Sequence, residues 1–212
     1  MTTAPQRRGR PKDWSKKTAI LNAARELFLQ QGIDVTTEDI AAAAGVAKAT
    51  IYAYFGDKGT LLEAVIHRES DLTISDEQFK QSLAMPFEDA LKFYGMGYVS
   101  FIHRREILGW DKLIASAALK FPEIPERFFK AGPGRGQEML ISLIKQAVLR
   151  KEVKVCEPVM AADDLTGLWL GFTNIEVTLG VKPELTDDEI ENRVDHGIAV
   201  FMSFYRYSDR YL

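Results

Sequence analysis

Residues 36–55 read TTEDIAAAAGVAKATIYAYF, and this stretch decides the fold. Thr36 is placed to cap a short helix over 37–44, with Asp39 at the capping-box position three residues on. Gly45 permits the positive φ of a sharp turn. A second short helix follows from about Ala47 to Phe55. Two short helices joined by a glycine-containing turn of about three residues form a helix-turn-helix. Ile40, Ala44, Val46 and Ile51 are apolar where the two helices meet each other and a preceding helix, and the alanines at 41–44 let the backbones approach closely. Lys48, Ala49, Thr50, Tyr52 and Tyr54 are left outward on the second helix. A helix of this size fits the major groove of DNA, where Lys, Thr and Tyr reach base edges and phosphates. A helical hairpin packed against other protein would show the same apolar positions, so the pattern alone leaves both readings open.

Outward from this core, a helix over about 15–31 carries Ile20, Ala24, Leu27 and Phe28 on one face and stops at Gly32, where a left-handed C-cap belongs. A fourth helix starts after Asp57, a good N-cap, and runs to about Ser70 with Leu61, Leu62, Val65 and Ile66 apolar. No proline falls between Lys12 and Met85; afterwards Pro86, Pro122, Pro125, Pro133, Pro158 and Pro183 cut the chain into helix-length segments. No hairpin dipeptide lies between alternating apolar residues and no long β-branched run occurs, so the fold class is all-α.

The chain has 212 residues, 46% of them hydrophobic and 27% charged, an ordinary globular balance. Its longest stretches without a charged side chain, 93–103 and 165–175, are eleven residues each, well short of the roughly 20 that span a bilayer. The basic N-terminus is followed by no apolar run, so no secretory signal is expected. Cys156 is alone, which excludes an internal disulfide and any cysteine-cluster metal site; a cytoplasmic location is the default. The net charge of −3 hides an asymmetry. Residues 1–60 hold nine Lys/Arg against six Asp/Glu, and the remainder is acidic. A basic head on an acidic body suggests that only the head meets a polyanion. Residues 1–13 read as a flexible basic arm in which Arg7, Arg8 and Arg10 can enter a minor groove.

Residues 14–66 resemble the DNA-binding domain of the TetR/AcrR family of bacterial transcriptional regulators. The correspondence runs through Phe28 and Gly32, then Thr36, Ile40, Ala41, Ala44, Gly45 and Val46, then Tyr52 and Phe55, then Lys58. Two departures stand out: Ala47 replaces a frequent Ser, removing a hydroxyl, and Gly59 weakens the first turn of the fourth helix. The resemblance implies that Thr36 and Thr37 contact phosphate, that Lys48, Ala49, Thr50 and Tyr52 face the groove, and that Tyr54 and Lys58 grip the backbone, while Arg8 and Arg10 of the arm enter the minor groove. Lys58 lies at the helix end that disfavours a cation, which fits a phosphate partner. On this reading, loss of Lys58 weakens binding to every sequence, and a change at Thr50 alters base preference.

Beyond residue 70 no catalytic motif is recognisable. His67, His103 and His196 are dispersed and form no ligand pair, so no metal site and no cofactor are expected, and GPGRG at 132–136 reads as an interhelical turn. Aromatics cluster instead. Phe87, Leu91, Tyr94, Tyr98 and Phe101 form a stripe, and Trp110, Phe128, Phe129, Trp169 and Phe172 add to it, while Gly95 and Gly97 interrupt a helix. An apolar chamber with a few orienting groups follows, lined by Tyr94, Tyr98, Phe101, Trp110, Phe128, Trp169 and Phe172, with Glu176 offered to a cationic ligand or placed at the solvent edge. Ordinary core packing would use the same residues. Two final long helices, about 158–179 and 186–205, carry wide apolar faces. Gly167, Leu170, Gly171 and Asn174 on the first, with Val194, Ile198, Phe201 and Tyr205 on the second, suggest a four-helix bundle across a two-fold axis, which is where the family dimerises. The segment 120–135 is similar to the AefR-like branch, often linked to efflux.

The expected architecture is therefore an arm at 1–13, a three-helix helix-turn-helix DNA-binding domain at 14–58, and a larger helical ligand-binding and dimerisation domain at 59–212. The expected partners are double-stranded operator DNA, a small-molecule effector and a second copy of the chain, with no membrane. The expected activity is that of a dimeric repressor released from a palindromic operator by a largely apolar or aromatic effector, with efflux or degradation genes as targets. A helical enzyme using the aromatic chamber, and a DNA-binding activator without an inducer, remain as alternatives.

Overall fold

The computed structural model describes residues 14–154 and 156–208, with the side chains of 105–108 and 111–112 outside the description; the basic arm, with Arg7, Arg8 and Arg10, therefore lies outside it. Among the described residues there is no strand, only one isolated bridge between Val153 and Arg206. The helices are α1 (Trp14–Gln31), α2 (Thr37–Ala43), α3 (Lys48–Phe55), α4 (Lys58–Ser70), α5 (Asp76–Ser82), α6 (Phe87–Ile102), α7 (Arg105–Ala118), α8 (Ile124–Ala131), α9 (Pro133–Leu149), α10 (Pro158–Leu170), α11 (Thr173–Thr178) and α12 (Asp187–Tyr205). They form two compact units whose division falls between Leu62 and Glu63, inside α4.

In the first unit the capping chemistry is as the sequence suggests. The Asp39 amide donates to Thr36 Oγ1 at 3.1 Å, and the Thr36 amide donates back to Asp39 Oδ2 at 3.2 Å. The Thr60 amide donates to Asp57 Oδ1 at 2.7 Å and caps α4. Ile20, Ala24, Phe28, Ile40, Ile51 and Leu61 are fully buried or nearly so. Each of the Ile, Leu and Phe side chains taken out of water in this way contributes about 1.5–3 kcal/mol.

The second unit is built on α6, α9, α10 and α12, which pack pairwise around one core. Trp169 on α10 is its centre, with no exposed surface. Its ring stacks near Tyr94 at 6.1 Å between centroids, and its Nε1 donates to the Val194 carbonyl at 3.3 Å.

Three local expectations are corrected. The segment 158–179 is two helices, because Gly171 takes φ 51° and ends α10; a residue with a Cβ disfavours that conformation. Residues 132–136 are not a turn: Gly132 closes α8, and Pro133 opens α9 at a first-turn position where its missing N–H costs nothing. Gly95 and Gly97 do not interrupt α6. A Cβ on Gly97 would sit 2.1 Å from the Thr73 carbonyl oxygen, so this position serves close approach of the α4–α5 connection to the helix.

Candidate functional site

The outward face of α3 is the first candidate. α2 and α3 are joined by residues 44–47, with Gly45 at φ 64°, and Ile51 and Phe55 anchor α3 inward. Lys48, Ala49 and Tyr52 are exposed, and Thr50 and Tyr54 are half-buried. The Lys48 ammonium donates to the Glu38 carboxylate on α2 and lies 5.6 Å from the centre of the Tyr52 ring. This bond draws the Glu38 carboxyl below its ordinary range and raises the Lys48 ammonium above its own. Ala47 precedes α3 without a side-chain cap, as expected from the missing hydroxyl.

Three residues assigned to phosphate occupy different surroundings. Thr36 is exposed, but its hydroxyl is bonded to Asp39 at 2.5 Å. Thr37 is buried. Its hydroxyl donates to Glu38 at 3.1 Å and lies 3.4 Å from the Tyr52 hydroxyl, so it braces α3 against α2 and does not face outward. The Lys58 ammonium donates to the carbonyls of Ile33 at 2.8 Å and Val35 at 3.2 Å. The unfavourable helix end is thus compensated by the α1–α2 connection, without any phosphate.

The second candidate is a cavity of about 170 Å³ within the second unit. Of the sequence-derived chamber residues it gathers Tyr98, Phe101, Trp110 and Phe128, and adds Ile66, Ile74, Ile102 and Met139 as apolar wall. Asn174, assigned from sequence to a dimer face, lines it from α11 together with Thr178. Tyr94 and Trp169 are core: Tyr94 donates to the Gly136 carbonyl at 2.9 Å behind the wall. Phe172 is 80% exposed, and Glu176 is half-buried without lining the cavity. Burial pushes the Tyr98 hydroxyl up to about 12, so it stays protonated at any working pH.

The polar side of the wall was not legible in the sequence. Arg135 on α9 donates to Ser70 at 3.0 Å, Asp71 at 2.8 Å and Asp76 at 2.7 Å. The Asp76 carboxyl is held below its usual range chiefly by that guanidinium. Glu69 lines the cavity with Arg68 4.0 Å from its carboxylate. Arg135 sits in the glycine-rich segment, and nothing in its spacing announces partners about sixty residues away.

The third candidate is an apolar face on α10–α12. Val194, Ile198, Phe201 and Tyr205, assigned to a dimer contact, are buried in the chain's own core and are spent there. The neighbouring register of α12 is exposed instead: Val200 and Phe204, the latter 64% exposed, border a groove with Gly167 of α10. Met160, Phe172, Ile175 and Leu179 extend the exposed apolar set, while Leu170 is half-buried and Gly171 terminates its helix.

Comparison with known proteins places this arrangement. Residues 89–207 match a family model described as AefR-like transcriptional repressor, C-terminal domain, and residues 20–65 match that of the bacterial regulatory proteins of the tetR family. The chain belongs to the TetR family. TetR-family proteins are transcriptional regulators and not enzymes, which removes the helical-enzyme alternative. The uncharacterized HTH-type transcriptional regulator YdeS of Bacillus subtilis (strain 168) is 46% identical over 57 residues, 26% of this chain and 29% of that protein. YvaF of the same strain is 43% identical over 49 residues, 23% and 26% of the two chains. The match thus spans less than a third of each curated relative. Among solved structures, the Flavonoid-responsive Regulator FrrA superposes with a TM-score of 0.71 at 26% identity, over 92% of this chain and 98% of its own. A TetR-family regulator of Mesorhizobium loti MAFF303099 shares the fold with a TM-score of 0.74 at 24% identity, over 93% and 100%. The TetR fold of this chain is all-helical where described, and no helix there is long and apolar enough to cross a membrane.

Proposed function

We propose that this TetR-family regulator is a dimeric repressor that holds a palindromic operator through α3 and releases it when a small, largely apolar or aromatic effector fills the cavity of the second unit. The observation that carries this reading is the double membership of α4. Lys58 and Leu61 belong to the helix-turn-helix unit, whereas Ile66, Glu69 and Ser70, on the same helix, form part of the cavity wall. A ligand that changes the cavity wall therefore acts on the helix that carries the DNA-binding head.

The exposed groups of α3, Lys48, Ala49 and Tyr52 with the flanking Thr50 and Tyr54, are the groove-facing set. A second copy meets the face around Val200, Phe204 and Gly167, placing two α3 helices on half-sites about 34–36 Å apart. The effector shifts a population and does so only by its differential affinity, typically worth about 1–3 kcal/mol of coupling. The flavonoid response in the name of FrrA supports an aromatic effector for this chain, and genes for efflux or degradation of such a compound are fitting targets.

The test begins with selection of bound duplexes from random DNA, followed by retardation of the selected duplex with and without aromatic candidates. Sequence-selective retardation of a palindrome, weakened by a compound that itself binds less tightly once operator is present, is the expected result. Retardation indifferent to sequence would overturn the operator reading. Equal effector affinity with and without operator would overturn induction.

A further inference from the structure

Asn174 is the one carboxamide among the described residues that line the cavity. It is half-buried, and its side chain makes no hydrogen bond among the described residues. The polar side-chain atoms sealed without a partner there are His103 Nε2 and Trp110 Nε1. The oxygen and nitrogen of the Asn174 amide are not sealed; they keep surface that a ligand can meet. The register of α11 gives that surface a direction. Asn174 and Thr178, one helical turn apart, both line the cavity, and residues four apart share a helix face. Ile175, Glu176 and Leu179 do not line it, and Ile175 and Leu179 are exposed elsewhere on the helix.

The charged groups of the wall are engaged with one another. Arg135 donates to Ser70, Asp71 and Asp76, and Arg68 lies 4.0 Å from the Glu69 carboxylate. The Asn174 amide, by contrast, offers both hydrogen-bond senses from one plane: its oxygen accepts and its NH₂ donates. A carboxylate on the ligand satisfies the NH₂ but sets its charge against the oxygen, with Glu69 on the same wall. An ammonium satisfies the oxygen and leaves the NH₂ unmet. A neutral carboxamide or lactam, whose N–H and C=O lie side by side, satisfies both through two antiparallel N–H···O bonds.

We infer that Asn174 is the specificity-determining residue of the effector cavity, selecting neutral aromatic molecules that carry an amide-type donor–acceptor pair over isosteres that lack the donor. This rests on the effector reading above and deepens it, by naming the ligand class and the side chain that reads it. The rings of Tyr98, Phe101 and Phe128, on the same wall, pack against the aromatic body in the offset or edge-on arrangements that aromatic pairs prefer.

The experiment uses four probes of one shape: 2-naphthamide, 2-acetylnaphthalene, 2-naphthoate and 2-(aminomethyl)naphthalene. The ketone keeps the acceptor and replaces the donor NH₂ by a methyl group; the other two carry a negative and a positive charge. Binding to the full-length protein is measured by calorimetry. Naphthamide is expected to bind about three- to tenfold more tightly than the ketone, the range of one net hydrogen bond, and more tightly than either charged probe. In Asn174→Leu, which has a similar volume and neither polar atom, the preference for naphthamide over the ketone is expected to vanish. In Asn174→Asp, which keeps an acceptor and loses the donor, the preference is expected to widen, because naphthamide still donates to the carboxylate and the ketone cannot. The aspartate variant decides alone should the leucine variant fail to fold.

A naphthamide preference that survives in Asn174→Leu, or fails to widen in Asn174→Asp, would overturn the inference. So would equal binding of naphthamide and ketone to the wild type, tighter binding of either charged probe, or no binding of any probe. The failure of the regulatory reading looks different: naphthamide binding with the Asn174 signature but no effect on operator retardation leaves this inference standing and removes induction.

Discussion

The Lys58 ammonium stands 2.8 Å from the Ile33 carbonyl oxygen and closes the loop between α1 and α2 from twenty-five residues away. A cation in the first turn of a helix opposes the dipole, and this chain offsets the opposition with two backbone acceptors. Replacing Lys58 by Met therefore removes two charge-assisted bonds and leaves the carbonyls of Ile33 and Val35 without their donor. A loss of about 1–3 kcal/mol of head stability is expected, read by urea unfolding. The slope of log affinity against log salt is expected to stay unchanged. A slope reduced by about 0.9 would instead assign Lys58 to phosphate.

Glu38 and Lys48 are paired on the surface that is proposed to meet DNA. The carboxylate holds the cation and adds a negative charge of its own. Glu38→Gln is expected to free Lys48 and to strengthen binding to any duplex, with a steeper salt dependence by about one phosphate contact. Weaker binding in retardation assays would show that Glu38 positions Lys48 productively.

Val200 and Phe204 border the exposed groove next to Gly167. A charge at the centre of an interface between copies is costly to desolvate. Val200→Glu is expected to yield a monomer in sedimentation velocity, with helical content retained and operator retardation lost. A dimer of wild-type affinity would move the interface elsewhere.

His103 is buried at the end of α6. Its Nδ1 lies 3.0 Å from the Val99 carbonyl and so carries the hydrogen, while Nε2 has no partner among the described residues. Burial, with Arg193 and Lys182 nearby, lowers its pKa below the ordinary 6.5. The folded state thus binds this proton less readily than the unfolded state. The contribution to stability is present above pH 6.5 and is lost as pH falls through the lowered value. The melting temperature is expected to drop more steeply below that pH in the wild type than in His103→Gln. Parallel profiles would show that His103 is not the titrating group.

Trp169 was expected from its sequence context to touch the effector, yet it is the most enclosed large side chain of the body. Trp169→Ala is expected to cost about 3–5 kcal/mol in unfolding. In Trp169→Phe the binding of an effector found by operator retardation is expected to persist, because the cavity wall is formed by other residues. Weaker binding in calorimetry would place Trp169 in ligand recognition.

The helix-turn-helix was legible because its signals are local. The Thr36–Asp39 box, the turn at Gly45 and the spacing of Ile40 and Ile51 all lie within twenty residues. The α12 stripe of Ile190, Val194, Ile198 and Phe201 was equally legible as an apolar face. Whether it faced the protomer's own core or a second copy depended on α6, some hundred residues away, so the stripe was assigned to the wrong partner. The place of Asn174 on the cavity wall was hidden for a similar reason. With Gly171 unbroken it would continue the α10 face, whereas the positive φ there turns the following helix onto the α7 side. Aromatic residues carry no mark that separates a wall from a core, and only packing distinguished Trp110 from Trp169.

That break at Gly171 has an evolutionary consequence. The six residues of α11 present Asn174 and Thr178 to the cavity and Ile175, with the adjoining Phe172 and Leu179, to the outside. If the cavity takes the effector and the outer face meets a second copy, as proposed, one short segment serves both, and a substitution there that retunes chemical selectivity would alter self-association with it, so the two traits would be inherited together.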